Sequence, residues 1–356
     1  MKAILCNLLV IAGLSACSTS ASTQQTATPT ISQSSEHAQA LLAFTRSCAR
    51  LTDPAWKDIC AQASNTPPAQ AGQFFASQFR VVKLAAQTGE ESGLLTAYYE
   101  PIIRVSKTPT GKLNYPLYAR PDNLPAQAVY ADRKTIETSA PPELKDKVIA
   151  YGERMDAYLL GVQGSGRIQW PDGQITKLIN DGMNNQPYKS IGKILIEAGA
   201  LTQETVSVPT IRAWVAAHPD KADWLLHQNP RIVFFKPDDG SRGSSDGPPG
   251  AMGIKAGLTP GYSIAVDPLR IPLGTPVQIS SSWPDGRPLQ RLVIAQDKGA
   301  AIKGSIRADL FLGVGAEAEQ LAGIMKQALT LEVLWPINVP LPASLQPASS
   351  AVAPQS

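Results

Sequence analysis

The sequence has few of the residues from which metal centres are built. Its 356 residues include four cysteines and three histidines, and the histidines stand apart at His37, His218 and His227. No group of these residues follows the spacing of a metal-binding motif. We therefore expect no metal site and no cofactor.

The sequence also lacks an excess of charge and, beyond residue 17, a long hydrophobic run. Its 32 basic and 29 acidic residues leave a net charge of +3. Without a long block of one sign, nothing in the composition indicates a nucleic-acid partner. After residue 17 no apolar run approaches the ~20 residues of a membrane-spanning helix. What the sequence does contain is 30 prolines and 27 glycines, which favour turn-rich β structure over a helical bundle.

The first 17 residues have the layout of an export signal, in which Lys2 precedes an apolar stretch and then small residues. Residues 14–17, Leu-Ser-Ala-Cys, resemble the lipobox of bacterial lipoproteins. That resemblance implies removal of a signal peptide at 1–16 and acylation of Cys17. By the same resemblance Ser18 implies the outer membrane, so we expect a lipoprotein anchored on its periplasmic face. An ordinary cleaved signal with an incidental cysteine is the alternative.

Two segments have the composition of flexible chain. Residues 17–36 are rich in Ser, Thr, Gln and Ala and predict a tether, and 340–356 predict a disordered tail. The exported body keeps only Cys48 and Cys60. In an oxidising periplasm they could form a disulfide that stabilises the fold by roughly 3 kcal/mol. Two buried free thiols are the alternative.

The body between these segments changes character along its length. Apolar residues at helical spacing predict helices over 37–50 and from about 69 to 79. Short β-like runs begin at residue 93, and the last third again predicts strands before a closing helix over 315–329. The middle mixes strands with helical patches, the strands at 147–151 and 158–163 and the helices at 190–198 and 203–218.

Four stretches together resemble the membrane-bound lytic murein transglycosylase A family. They are the tyrosine-containing segment 96–101 and the segments 158–168, 263–275 and 295–311. The last two are similar to a three-aspartate module, in which Asp267, Asp297 and Asp309 are the name-giving acids.

The resemblance implies a mainly β fold with a few peripheral helices. Its larger domain would be a six-stranded double-psi β-barrel, made here from residues 37–103 and 229–339. A second, smaller β-rich domain would be inserted at 104–228, and a substrate groove would lie between the two.

The resemblance also implies a reaction that needs a single acid. Glycoside hydrolysis normally uses two carboxylates, whereas in a lytic transglycosylase the C6 hydroxyl of the muramic acid attacks its own anomeric carbon. Asp309 would be the acid/base, and its apolar neighbours favour the protonated form that this role requires. Asp297 would lie near it and support positive charge on the sugar. Asp267, which precedes Pro268, would organise a turn and serve at most as an auxiliary group.

Two segments have side chains suited to sugars. Thr96, Tyr98, Tyr99 and Glu100 could stack on sugar rings and bind hydroxyls, and Gln163, Gly164 and Ser165 offer an amide, a close backbone approach and a hydroxyl. The alternative is structural, since tyrosines on a strand are often core and a Gly-Ser-Gly run is often a turn.

We therefore expect a peptidoglycan lytic transglycosylase. It would cleave the β-1,4 bond between N-acetylmuramic acid and N-acetylglucosamine and leave a 1,6-anhydromuramic acid end. Its expected partners are peptidoglycan glycan strands, the outer membrane through the lipid anchor and, as candidates, cell-wall synthesis proteins. Two alternatives remain open. One is an inverting β-1,4-glycan hydrolase with Asp267 or Glu100 as its second base, and the other is a non-catalytic peptidoglycan-binding lipoprotein.

Overall fold

The computed structural model describes residues 33–84, 93–240, 243 and 246–346. The predicted signal peptide, Cys17 and the last ten residues of the predicted tail lie outside the described residues. The first helix begins at Gln33, so the end of the segment predicted as a tether is helical.

The helices are concentrated at the start of the chain and in its middle. They are α1 (Gln33–Cys48), α2 (Pro54–Asn65), α3 (Ala71–Gln78), α4 (Arg133–Ser139), α5 (Arg154–Gln163), α6 (Ile191–Glu197), α7 (Val208–Ala217), α8 (Ala222–His227) and α9 (Ala316–Ile324). Several begin at a side-chain cap. Asp53, for example, accepts a hydrogen bond from the Ala55 backbone N–H before α2, and Pro54 occupies the first helical position.

Strands follow α3 and make up most of the last third of the described chain. They are β1 (Phe79–Lys83), β2 (Gly93–Glu100), β3 (Ile102–Ser106), β4 (Tyr115–Tyr118), β5 (Val148–Gly152), β6 (Gly166–Gln169), β7 (Ile175–Met183), β8 (Val233–Pro237), β9 (Ser263–Ala265), β10 (Pro276–Ser282), β11 (Pro288–Asp297), β12 (Arg307–Val314) and β13 (Lys326–Pro336).

The first sheet has the strand order β1-β13-β10-β11-β9-β12-β2, and β2 also pairs with β13. Among the described residues, six strands therefore pair in a cycle, with β1 added on the outer side of β13. The β11–β9 and β12–β2 pairs are parallel, and the others are antiparallel. Inward residues of these strands pack with α1, α2 and α3 in one apolar cluster, in which the Phe44 ring lies within 6.2 Å of four other aromatic rings.

The second sheet, β4-β5-β3-β6-β7-β8, uses strands between Ile102 and Pro237 and so lies within the chain between β2 and β9. Its core includes Ile103, Ile168 and Phe235, and a separate cluster joins α5 to α6, α7 and α8. The predicted insertion at 104–228 falls inside this span, and its domain boundaries stay a prediction.

Two predicted elements were wrong in type or length. The run 158–163, predicted as a strand, belongs to α5, because the Glu153 carboxylate caps the backbone N–H groups of Met155 and Asp156 and Gly164 ends the helix at φ +80°. The closing helix predicted over 315–329 ends at Ile324, and β13 begins two residues later.

Cys48, at the end of α1, is joined to Cys60 of α2 by a disulfide. A buried polar network holds the same face of α1 against the first sheet. In it Gln296 of β11 donates hydrogen bonds to the Ala43 carbonyl and the Ser47 hydroxyl, both at 2.7 Å. Asp297 directly follows Gln296, so this network holds in place the end of β11 that carries the Asp297 carboxylate.

Candidate active site

Strand register brings three of the predicted side chains together. Ala265 of β9 is aligned with Asp297 of β11 on one side and with Asp309 of β12 on the other. Thr96 of β2 is in turn aligned with Asp309. Since aligned residues of neighbouring strands lie on the same face of a sheet, both carboxylates and the Thr96 hydroxyl share one surface. Tyr98, two residues beyond Thr96 on β2, shares it as well.

Asp309 lies half-buried at the centre of this surface. The Thr96 hydroxyl donates a hydrogen bond to its Oδ1, and the Arg307 guanidinium donates to Thr96 Oγ1 at 2.8 Å. Among the described residues, Oδ2 has no hydrogen-bond partner. Burial, with a smaller contribution from the Asp297 charge, raises the pKa of Asp309, while Thr96 and Arg307 oppose the rise. The site therefore favours a carboxyl that keeps its proton and has one oxygen free to deliver it.

Asp297 has a different environment. Its Oδ1 accepts the backbone N–H groups of Ala251 and Lys298, both at 2.8 Å, and its Oδ2 accepts the Tyr98 hydroxyl at 2.9 Å. Burial raises the pKa of Asp297, and these three donors limit the rise. Burial and the nearby carboxylates also raise the pKa of Tyr98, so its phenol remains a donor at neutral pH. Asp297 thus accepts hydrogen bonds through both oxygens, whereas Asp309 accepts one through Oδ1 alone among the described residues.

The Asp267 carboxylate binds the backbone of two neighbouring loops. It is buried, and it accepts hydrogen bonds from the backbone N–H groups of Leu269 and Gly304, both at 3.2 Å. Lys303 lies 3.9 Å from the same carboxylate. Asp267 therefore ties the turn after β9 to the loop that leads into β12, and the alternative second base at this position finds no support in the geometry.

Two predicted sugar contacts are placed away from the shared surface. Tyr99 is buried on the opposite side of β2, where Glu319 and Arg212 are its charged neighbours. Glu100 is fully buried and forms an ion pair with Arg167 at 2.9 Å. Because neither side chain is exposed, the structure favours a structural role for both, and their contact with a sugar stays a prediction. The same burial argues against Glu100 as a second base.

The predicted contacts at 163–165 form the corner between α5 and β6. Gln163 ends the helix, Gly164 caps it in the left-handed conformation, and Ser165 is buried. Within the described part of the chain, no hydrogen bond joins this corner to Asp309 or Asp297. Arg167 of β6, which follows this corner, connects it to β2. Arg167 pairs with Glu100 at the end of β2 and donates a hydrogen bond to the Asp246 carbonyl at 2.7 Å.

The structure adds three groups that the sequence did not single out. They are the Arg307 side chain and the backbone N–H groups of Ala251 and Lys298. Arg307 stood inside a quoted motif, and its position two residues before Asp309 was the one available signal. The two backbone donors had none, because their direction depends on loop conformation.

The described residues contain neither a metal-binding group nor a membrane-spanning helix. No cluster of three or more His, Cys, Asp or Glu side chains there is placed to hold a metal ion. In the same residues, no helix has both the length and the apolar character needed to cross a membrane.

Family models and curated relatives agree on one family. The model of the MltA-specific insert domain matches residues 94–236, and the model of the 3D domain matches 262–335. The chain is 35% identical over 240 residues to the membrane-bound lytic murein transglycosylase A of Escherichia coli strain K12, a match covering 64% of this chain and 61% of that protein. It is 32% identical over 270 residues to the Vibrio cholerae protein of the same name, covering 70% of this chain and 68% of that one.

Solved structures extend the likeness to the fold. The lytic transglycosylase LtgG of Burkholderia pseudomallei is 40% identical, with a TM-score of 0.57 and coverage of 86% of this chain and 92% of that one. Escherichia coli MltA, crystallised with bound chitohexaose, is 27% identical in the structural match, with a TM-score of 0.69 and coverage of 85% and 90%. By sequence and by fold, the chain belongs to the membrane-bound lytic murein transglycosylase A family.

Proposed function

We propose that the protein is a peptidoglycan lytic transglycosylase in which Asp309 is the single acid and base. The observation that carries the proposal is the contrast between two neighbouring carboxylates. Burial raises the pKa of Asp309, and its Oδ2 has no hydrogen-bond partner among the described residues, whereas both oxygens of Asp297 already accept hydrogen bonds. Membership of the family supports the same reaction class.

In the proposed reaction Asp309 transfers a proton twice. Its Oδ2–H first protonates the oxygen that links the muramic acid to the next sugar, and the bond from C1 to that oxygen breaks. Asp297, held in place by the hydrogen bond from Tyr98, would stabilise the positive charge that develops on the ring. The C6 hydroxyl of the same sugar then attacks C1, and Asp309 Oδ2 accepts its proton. The product is the 1,6-anhydro sugar, and the acid is restored without water or a covalent enzyme intermediate.

The proposed substrate is a β-1,4-linked glycan strand of peptidoglycan, lying across the surface that Thr96, Tyr98, Asp297 and Asp309 share. The E. coli relative with bound chitohexaose supports a glycan as the ligand. The half-buried Tyr98 ring packs against Phe311 with centroids 5.3 Å apart, which would hold it rigid against a sugar. We propose Gln163 and Gly164 as further contacts where a strand would leave the site toward the second sheet.

The two sheets give the proposed groove its walls. We propose that the cycle of six strands is the double-psi β-barrel of the catalytic domain, and that the second sheet is the smaller inserted domain across the groove. The N-terminal sequence supports lipidation at Cys17 and a place on the periplasmic face of the outer membrane. There the enzyme would meet both its substrate and candidate cell-wall synthesis partners.

The test is digestion of purified peptidoglycan by the parent and by Asp309→Asn, with the products identified by mass spectrometry. We expect the parent to release anhydromuropeptides, which are lighter than hydrolytic products by one water. Asp309→Asn should lower the rate by about 10²–10⁴-fold, because asparagine cannot exchange the proton.

The matched control is Asp285→Asn, the same change in the exposed β10–β11 turn, where Asp285 pairs with Arg287 at 2.7 Å. It should retain the parental rate. Hydrolytic products would instead indicate the two-carboxylate hydrolase. Binding of peptidoglycan with no product from the parent would indicate the non-catalytic lipoprotein.

A further inference from the structure

Arg307 is held firmly beside the proposed acid without touching it. Its Nη1 donates to the backbone carbonyls of Ala308, at 2.5 Å, and Leu94, at 3.3 Å, and its Nη2 donates to Thr96 Oγ1 at 2.8 Å. These bonds join β12, which carries Arg307 and Asp309, to β2, which carries Thr96. The half-buried guanidinium therefore has a fixed direction, and among the described residues its one side-chain partner is the hydroxyl that contacts Asp309.

The donors and acceptors available on Arg307 and Thr96 determine the direction of the hydrogen bonds in this arrangement. A guanidinium has only donors, and a threonine hydroxyl has one hydrogen and two lone pairs. Since Arg307 occupies a lone pair of Thr96 Oγ1, the hydroxyl hydrogen goes to its one acceptor among the described residues, Oδ1 of Asp309. A proton on Oδ1 would compete with the Thr96 hydrogen for the same oxygen and weaken that hydrogen bond.

We infer that Arg307 is a positioning residue that, through Thr96, occupies Oδ1 of Asp309 and so reserves Oδ2 for the transferred proton. The inference rests on the proposed function, in which that proton moves to the glycosidic oxygen and is later replaced from the C6 hydroxyl. Oδ2 is also the oxygen that has no hydrogen-bond partner among the described residues, so a proton there is not held by another group of the described protein.

A double-mutant cycle tests whether Arg307 acts through Thr96. Arg307→Met keeps the length of the side chain without its donors, and Thr96→Val keeps the shape of threonine without its hydroxyl. We expect each variant to lower kcat for anhydromuropeptide release by about 10- to 100-fold with little change in KM. The double variant should be no slower than Thr96→Val alone. Additive losses, or an unchanged kcat in Arg307→Met, would overturn the inference.

A pH profile and a conservative variant separate positioning from a general effect on folding. The groups that face Asp309 are Arg307 on its own strand, Asp297 on β11, and Thr96 and Tyr98 on β2. Removing the Arg307 cation should raise the pKa of Asp309 and move the alkaline limb of kcat/KM to higher pH. Arg307→Lys, which keeps the charge and one donor, should recover part of kcat and return the limb toward the parent. Loss of kcat with an unshifted limb would count against the role.

A substrate-free measurement keeps the inference independent of the reaction. Carboxyl ¹³C NMR titration of the protein, with the Asp309 signal assigned from Asp309→Asn, should give a higher midpoint for Asp309 in Arg307→Met than in the parent. If the parent released no anhydro product, the proposed function would fail while this titration still decided whether Arg307 controls Asp309. An unchanged midpoint would overturn the inference even in an active enzyme.

Discussion

The feature that equips Asp309 for proton transfer also has a cost in stability. Burial raises its pKa in the folded protein above the unfolded value of about 3.9, so the folded state binds the proton more tightly. Stability from this group is therefore present below the unfolded pKa and is lost as the pH rises through the folded pKa. At neutral pH the site retains a carboxyl that the fold would be more stable without.

Asp309→Asn should consequently stabilise the protein while it slows the proposed reaction. Asparagine can still accept the Thr96 hydroxyl but does not ionise, so we expect the melting temperature at pH 7 to rise by about 2 °C or more. The difference should disappear below about pH 4, where both states of the parent are protonated. Calorimetry across this range measures it. Asp285→Asn, whose carboxylate has a pKa lowered by bonds to Arg287, should show no gain, and a lower melting temperature for Asp309→Asn at pH 7 would contradict the argument.

Which residues of the site could be predicted from the sequence depends on how far apart in the chain the interacting residues lie. Asp297 and Asp309 could be selected from a motif because both stand within one short segment. The bond from Thr96 to Asp309 crosses 213 residues and exists because β2 and β12 are parallel neighbours. Alternation along β2 then separates Thr96 and Tyr98 from Tyr99. The sequence predicted a tyrosine-rich contact but could not say which tyrosine faces the acids without knowing the buried side of that strand.

At the scale of elements, α5 shows where pattern reasoning fails for a physical reason. Its stretch Tyr158–Leu160 is apolar on all sides because one side packs on the second sheet and the other on α6, α7 and α8. A helix buried on both sides has no polar face, so its periodicity does not differ from that of a buried strand. The residues that identify this segment as a helix are those at its two ends, the Glu153 cap and Gly164. In the sequence alone they are less conspicuous than the apolar run between them.

The disulfide between α1 and α2 belongs to the same scale. It closes a short loop of sequence separation 12, and by loop-closure entropy it should contribute about 3 kcal/mol. Replacing Cys48 and Cys60 together by alanine should lower the free energy of unfolding in urea by that amount. The rate of anhydromuropeptide release at 25 °C should not change, because the strands that carry Asp297 and Asp309 are not cross-linked by it.

Reductant provides the control for this element. It should lower the stability of the parent to that of the double alanine variant and have no effect on the variant itself. The Phe44 and Trp56 rings, whose centroids are 6.2 Å apart, also join the two helices. Equal stability of the oxidised parent and the variant would mean that this packing holds the helices together without the disulfide.

For the whole molecule, the question is what holds the second sheet and its helices against the first sheet beside the site. Within the described residues, two ionic links cross between them. Glu100, at the end of β2, pairs with Arg167 of β6, and both side chains are at most 5% exposed. Arg212 of α7 bridges Asp156 of α5, at 2.7 Å, and Glu319 of α9, at 3.0 Å, with all three side chains about 30% exposed.

Burial, rather than the number of contacts, should decide which link matters. Arg167→Met leaves the Glu100 carboxylate buried without its cation and should cost about 3–5 kcal/mol of unfolding free energy. Arg212→Met, the same change at the more exposed bridge, should cost about 1 kcal/mol or less, because water can solvate the two carboxylates that remain. Adding Glu100→Gln to Arg167→Met should recover part of the loss, since the buried carboxylate that lost the Arg167 cation is then made neutral. Urea unfolding of the three variants tests the order, and equal costs for the two arginines would show that the Glu100–Arg167 pair does not govern how the two sheets are held together.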